Sequence, residues 1–122
     1  MISAAPSRRV APVLLFGAAG LAHLLRPEGF DAIVPRALPG PARAWTTWSG
    51  VAELALAAGF AVPRTRRWAG PVAAAFLVAV WPANAQMALD AWRGGSGRRR
   101  LVTTARLPLQ VPLIRFVLRA AR

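Results

Sequence analysis

Residues 68–92 read WAGPVAAAFLVAVWPANAQMALDAW. These 25 positions hold one ionisable residue, Asp90, and tryptophan at both ends. A bilayer core of ~30 Å needs about 20 helical residues, so this stretch is long enough to cross it with tilt. Three further apolar stretches flank it: Val10–Leu25, Trp45–Val62 and Leu101–Leu118. The first is marginal in length for a span, and the other two are adequate. Trp45, Trp48, Trp68 and Trp92 fall near segment ends, where an interfacial aromatic belt requires them. The reading is an all-α integral membrane four-helix bundle, one domain over residues 1–122.

Composition supports it. The chain has 122 residues, 56% hydrophobic and only 16% charged, and its mean hydropathy is +0.41. A soluble bundle of helices that are apolar on all sides would have no solvent face. The absence of cysteine excludes a disulfide framework, a thiolate metal site and a CxxC redox pair. Sixteen basic residues, all arginine, stand against four acidic ones, for a net charge of +12. A pI near 12 suggests nucleic acid, but the arginines come in short clusters between apolar runs. The clusters are Arg8-Arg9, Arg64-Thr65-Arg66-Arg67, Arg98-Arg99-Arg100, and Arg119 with Arg122. That placement fits lipid headgroups at the flanks of spans, not a phosphate-tracking face. The lipid bilayer is thus the expected partner, with a redox protein or a second copy of the chain beside it, and nucleic acid is excluded. Val10–Leu25 also has the outline of a signal peptide's apolar region. The hydrophobic chain that follows makes a retained helix the better reading.

The links differ in character. Residues 26–44, RPEGFDAIVPRALPGPARA, hold four prolines, which preclude a long helix. Phe30, Ile33, Val34 and Leu38 are apolar there, so the segment is expected to lie along the membrane surface with these residues dipped inward. Pro63–Arg67 reads as a tight basic turn and Arg93–Arg100 as a flexible basic loop. No internal repeat is present. Seven arginines fall on each side of the membrane, and the first helix, preceded by Arg8-Arg9, favours N-in/C-in. The expected location is the bacterial cytoplasmic (inner) membrane.

Ionisable residues inside a span cost ~2.5–3.5 kcal/mol each on insertion scales, so each needs a reason. The candidates are His23, Glu53, Asn84, Gln86, Asp90, Arg106, Gln110 and Arg115. Adjacent helices run in opposite directions, so depths can be compared. Glu53 and Asn84 each lie about 12 Å from one membrane face, Arg106 about 7 Å and Gln110 about 13 Å. His23 sits near the exit of the first helix at that same face. One half of the bilayer thus gathers polar residues from all four helices. The other half holds Leu14, Leu15, Ala57, Ala58, Phe76, Leu77, Ile114 and Val117, with Arg115 near an end from which it can snorkel.

Glu53 and Arg106 are expected to form an ion pair, because a guanidinium keeps a carboxylate charged in hydrocarbon. The pair reads either as glue between helices or as part of a binding or proton-handling site. Arg106 also has donors for Asn84 or Gln110. Asp90 and Gln86 are expected at the rim. Pro82 leaves the Val78 carbonyl without its helical partner, so a kink is expected there. Ser49, Gly50, Ala52 and Ala73 to Ala75 are small enough for close helix approach. One histidine and scattered carboxylates leave no haem or metal site. No phosphate-binding glycine loop or nucleophile elbow is present, and no residues would let the chain do redox chemistry unaided. No catalytic residue is therefore named.

Several words resemble those of the DoxX-like family of small four-helix bacterial membrane proteins, related to DoxD and MauE. They are Gly20-Leu-Ala-His23, Pro27-Glu-Gly-Phe30-Asp-Ala-Ile33-Val34-Pro35, Leu38-Pro39 and Ser49-Gly50-Val-Ala-Glu53, followed by Pro63-Arg-Thr-Arg66, Ala69-Gly70, Pro82-Ala83-Asn84, Met87-Ala88 and Arg106-Leu107-Pro108-Leu109-Gln110. Leu24 and Ala85-Gln86 depart from the family's pattern. The resemblance implies an accessory or membrane subunit of a redox or oxidant-defence system. The family's polar pattern falls on His23, Glu53, Asn84, Arg106 and Gln110, which are the ligand-binding candidates, with a quinone or another small molecule as the expected ligand and no bound cofactor otherwise. A permeation subunit for protons or a small molecule, or a purely structural assembly partner, are the competing expectations.

Overall fold

The computed structural model describes residues 6–122, with side chains described from Arg9 onward, and it is all-helical. Arg8, counted above among the basic flanks, lies outside the described side chains. Five helices follow one another: α1 Pro6–Leu25, α2 Pro27–Asp31, α3 Ala42–Ala61, α4 Pro63–Gly94 and α5 Gly97–Ala120. The four apolar stretches become α1, α3, α4 and α5. The fifth, α2, is a short helix inside the segment expected to be irregular.

Proline sets the boundaries. Pro27 pushes Arg26 out of helical geometry, to φ −134° and ψ 65°. That ends α1 and starts α2, with Pro27 at its first position. Pro63 does the same to Val62, at φ −89° and ψ 121°, so α3 and α4 are separated by that one residue. Gly40, at φ +82°, takes a left-handed conformation that a side chain would disfavour. The chain then enters α3 through Pro41.

The two basic links are helical, against expectation. Arg64 to Arg67 form the first turn of α4, and Arg98 to Arg100 the first turn of α5. Arginine is a strong helix former, and the side chains of these turns cap the preceding helices. Thr65 Oγ1 donates to the Gly59 carbonyl at 2.8 Å, and Arg66 Nε to the Phe60 carbonyl at 2.9 Å. Both carbonyls belong to the last turn of α3, which has no helical donors left. At the next link Ser96 Oγ accepts from the Arg99 amide at 3.2 Å, and Arg100 Nε donates to the Ala91 carbonyl at 3.3 Å. Ser96 is thereby the N-cap of α5.

α1 packs antiparallel along α3, α5 along α4, and α3 along α4. α1 and α5 barely touch, so the bundle is two tight pairs hinged through α3 and α4 with a thin seam between α1 and α5. Gly20 and Gly50 make the α1–α3 crossing. A Cβ on Gly20 would lie 2.8 Å from the Gly50 carbonyl oxygen, and one on Gly50 2.9 Å from His23 Cβ. Gly70 makes the equivalent contact of α4 with α5, where a Cβ would run into Ala121 Cβ.

The solid core fills one half of the bundle. Phe16, Leu56, Ala57, Phe60, Ala69, Ala73, Leu77, Val117 and Ala120 cluster there. The Phe16 and Phe60 rings are stacked, with centroids 5.9 Å apart and planes 5° apart. α4 runs unbroken through Pro71 and Pro82. Pro82 frees a carbonyl one turn earlier in α4. Beside it, Gln110 Nε2 crosses from α5 to the Leu77 carbonyl at 3.3 Å. By length and composition α4 and α5 can each cross a membrane; the apolar part of α1, Arg9–Leu25, is shorter, and α3 falls short in apolar character.

Candidate functional site

The half of the bundle without the solid core holds a partly open cavity of about 510 Å³. His23 comes to it from α1, Glu53 from α3, Asn84 from α4, and Arg106 and Gln110 from α5. The structure therefore brings the five residues singled out in the sequence to one space. Gln86 and Asp90 stand apart from it, bonded to each other along α4 at 2.9 Å. Thr46 and Ser49 of α3 also line the cavity, and the sequence reading missed both. Each lies one or two helical turns before Glu53, so the helical repeat from Glu53 was the signal that identified their face.

The roof is α2 together with the segment that follows it. Phe30, Ile33, Val34 and Leu38, expected to dip into lipid, line the cavity instead, together with Trp45. Arg43 Nε donates to Asp31 Oδ2 at 2.7 Å, Trp45 Nε1 to the Pro39 carbonyl at 2.7 Å, and an Arg99 guanidinium nitrogen to the Ala32 carbonyl at 3.2 Å. These bonds tie the roof to α3 and α5.

The expected Glu53–Arg106 ion pair is not formed. Glu53 Oε2 lies 3.0 Å from His23 Nδ1. Two facts of packing decide this. The glycine crossing draws α1 against α3 beside Glu53, while α5 lies along α4 and, among the described residues, does not pack on α3. Arg106 faces the cavity from an exposed position, with no hydrogen bond to Asn84, Gln110 or Glu53 among the described residues. His23 Nδ1 also lies 2.7 Å from the Ala19 carbonyl. One Nδ1–H serves one acceptor well, and in this geometry Glu53 Oε2 is a buried oxygen with no hydrogen bond. Phe30 stacks on the His23 ring, centroids 3.8 Å apart, and seals its outer face.

The cavity is thus amphipathic. A polar floor of carboxylate, imidazole, amides and hydroxyls faces a wall of Phe16, Phe76, Leu77, Val80, Met87, Leu109 and Leu113. Such a shape accepts a molecule with an apolar body and a head that both donates and accepts hydrogen bonds.

Asp31 anchors the roof electrostatically. The Thr46 hydroxyl beside it and then the Arg43 guanidinium hold its carboxyl below the ordinary value, against the opposing effect of burial. Thr46 Oγ1 and Asp31 Oδ1 do not meet at ideal bonding geometry, so the contact between them is electrostatic more than directional. A carboxyl with a depressed folded-state pKa stabilises the folded roof above its unfolded pKa, and that contribution disappears as pH falls through the folded value. Amide exchange of residues 32–40, corrected for its intrinsic pH dependence, is expected to speed up below about pH 4. Asp31→Asn should show the fast exchange already at neutral pH. Unchanged protection in that variant would refute the anchoring role.

No curated protein and no solved structure matches the chain. A family model does match, and it is not that of DoxX. The DoxX resemblance is therefore withdrawn. Its words were short, and glycine crossings, proline boundaries and buried amides recur in any bundle of small apolar helices. Over residues 13–121 the match is to a domain of unknown function (DUF8561), and the chain belongs to that family.

Proposed function

We propose that the chain is a four-span integral membrane protein of the cytoplasmic membrane whose cavity binds a small lipophilic molecule with a carbonyl- or hydroxyl-bearing head, of the quinone class. The observation that carries the ligand reading is Glu53 Oε2, a buried oxygen without a hydrogen bond, facing a cavity that Arg106 also enters. His23 Nδ1, 3.0 Å away, is shared with the Ala19 carbonyl, so the carboxylate still has the capacity to accept from a hydroxyl on a guest. The guanidinium and the Asn84 amide have donors for a carbonyl oxygen. The aromatic walls suit a flat ring.

The membrane reading is supported by what faces outward. Leu14 is 65% exposed, Leu101 71% and Trp48 71%. Large apolar side chains of all four long helices share that exposure, more than a water-facing surface of this size carries singly. Trp68 lies toward one end of the bundle and Trp45, Trp48 and Trp92 toward the other, as at two interfaces. Carbonate washing of membrane vesicles is expected to leave the chain in the pellet.

Binding is tested on the full chain in detergent with a short-tailed quinol, the reduced form whose hydroxyls can donate to Glu53 and accept from Arg106, read by thermal shift. Glu53→Gln and Arg106→Gln are each expected to weaken binding about tenfold, the ratio given by a charge-assisted bond of ~1.4 kcal/mol. Wild-type affinity in both variants, or no binding to the wild type, refutes the quinone site. The His23–Glu53 contact at the glycine crossing favours a second reading, in which the pair only joins α1 to α3. That reading predicts lower folded yield for Glu53→Gln with no ligand response in any form of the protein.

A further inference from the structure

The two ends of the bundle differ in a way that counting arginines conceals. One end comprises the start of α1, the α3–α4 link and the end of α5. Arg9, Arg64, Arg66, Arg67, Arg119 and Arg122 lie there. None of the four acidic side chains does: Glu28 and Asp31 belong to α2, Asp90 to the far end of α4, and Glu53 to the cavity. On the outer side of this end a second, apolar groove of about 330 Å³ runs between α3 and α4. Ala55, Gly59, Trp68, Val72 and Phe76 are among its lining residues. Trp68 stands 62% exposed at the groove, with the Arg67 guanidinium 5.3 Å from its ring centroid. Arg66 is engaged by the Phe60 carbonyl, whereas Arg64 and Arg67 are exposed.

We propose that this groove holds one acyl chain of an anionic phospholipid, with Arg64 and Arg67 on its phosphate. The occupant follows from complementarity. A groove lined almost wholly by apolar atoms takes a hydrocarbon chain, and an arginine pair at the same end, without a competing acidic side chain, takes a negative headgroup. The indole belongs at that boundary, with its ring against the chain and its edge toward the headgroup. A second copy of this chain is a poorer occupant, because its own matching end would bring arginine against arginine. The proposal rests on the membrane reading, but not on the cavity ligand.

The test uses the full chain in detergent, equilibrated with equal amounts of phosphatidylglycerol and phosphatidylcholine, and native mass spectrometry to count retained lipids. Wild type is expected to keep phosphatidylglycerol over phosphatidylcholine by about fivefold. The double variant Arg64→Gln/Arg67→Gln should bring that ratio near one, as should Ala55→Trp, which fills the groove from an exposed position. Arg9→Gln/Arg122→Gln removes the same charge elsewhere on this end and should leave the ratio unchanged. A wild-type ratio near one overturns the proposal. So does an equal fall in the Arg9/Arg122 control, which marks diffuse attraction, or an unchanged ratio in Ala55→Trp. Displacement of the lipid by excess inorganic phosphate also overturns it, since the headgroup alone would then carry the binding. These results are separable from failure of the membrane reading, which is release of the chain by carbonate.

Discussion

Gly50→Leu is expected to prevent α1 and α3 from closing. At this crossing the helices meet backbone to backbone. A Cβ on residue 50 would sit 2.9 Å from His23 Cβ, 3.0 Å from Leu24 Cγ and 3.1 Å from the Gly20 carbonyl oxygen. Two of those neighbours are a main-chain atom and a first side-chain carbon, which move only with their helix. A leucine must therefore push α1 outward by the thickness of a side chain. Overpacking of a fitted contact costs ~1–3 kcal/mol and more where backbone has to shift, so a loss of about 3 kcal/mol or more is expected. The second consequence is chemical: His23 moves away from Glu53, and the roof that stacks on His23 loses its seat. Thermal unfolding in detergent and folded yield on size exclusion read the first effect. Gly17→Ala is the internal control. Its Cβ would meet only Ala57 Cβ, at 3.9 Å, and alanine favours the helix by ~1 kcal/mol over glycine. A Gly50→Leu protein as stable as wild type would show that the two helices do not cross there.

Phe60→Ala is expected to cost about 3–5 kcal/mol, the range for emptying a buried aromatic site. Phe60 is 0% exposed and stacked on Phe16. It stands where α1, α3 and α4 converge, at the end of the bundle that has a solid core. Phe60→Leu should recover about half of the loss. The contrast with the other half of the molecule sharpens the test. Leu109→Ala removes an apolar side chain that lines the cavity and is 60% exposed. It should change the melting temperature little while altering ligand response. Equal destabilisation by the two alanine substitutions would contradict the division into a solid half and a hollow half.

Apolar run length and residue depth are legible without coordinates. Run length locates the four long helices, and depth groups His23, Glu53, Asn84, Arg106 and Gln110 at one level. Depth is blind to rotation about the helix axis, and that is why it assigns Glu53 the wrong partner. Arg106 falls in the same half of the bundle as Glu53 but sits on a helix that packs against α4. The glycines at positions 20 and 50 hold the missing information, since a Gly–Gly crossing puts α1 beside α3 and His23 beside Glu53. The basic links mislead for a different reason. Glycine, serine and arginine suggest loops, but proline at a first helical position and arginine's helix propensity outweigh that signal. The roof is half legible. Its prolines exclude a long helix, while the direction in which Phe30 and Leu38 point depends on a cavity that no local pattern reveals.

The thin seam between α1 and α5 has a consequence for supply. On the proposed membrane reading it would face the acyl chains sideways, and a greasy guest would reach the chamber without passing through water or unlatching Asp31 from Arg43. Saturation would then follow the guest's mole fraction in lipid, not its aqueous concentration. Diluting the protein with extra lipid at constant total guest would empty the chamber, and widening the seam would speed arrival and departure together without changing how tightly the guest is held.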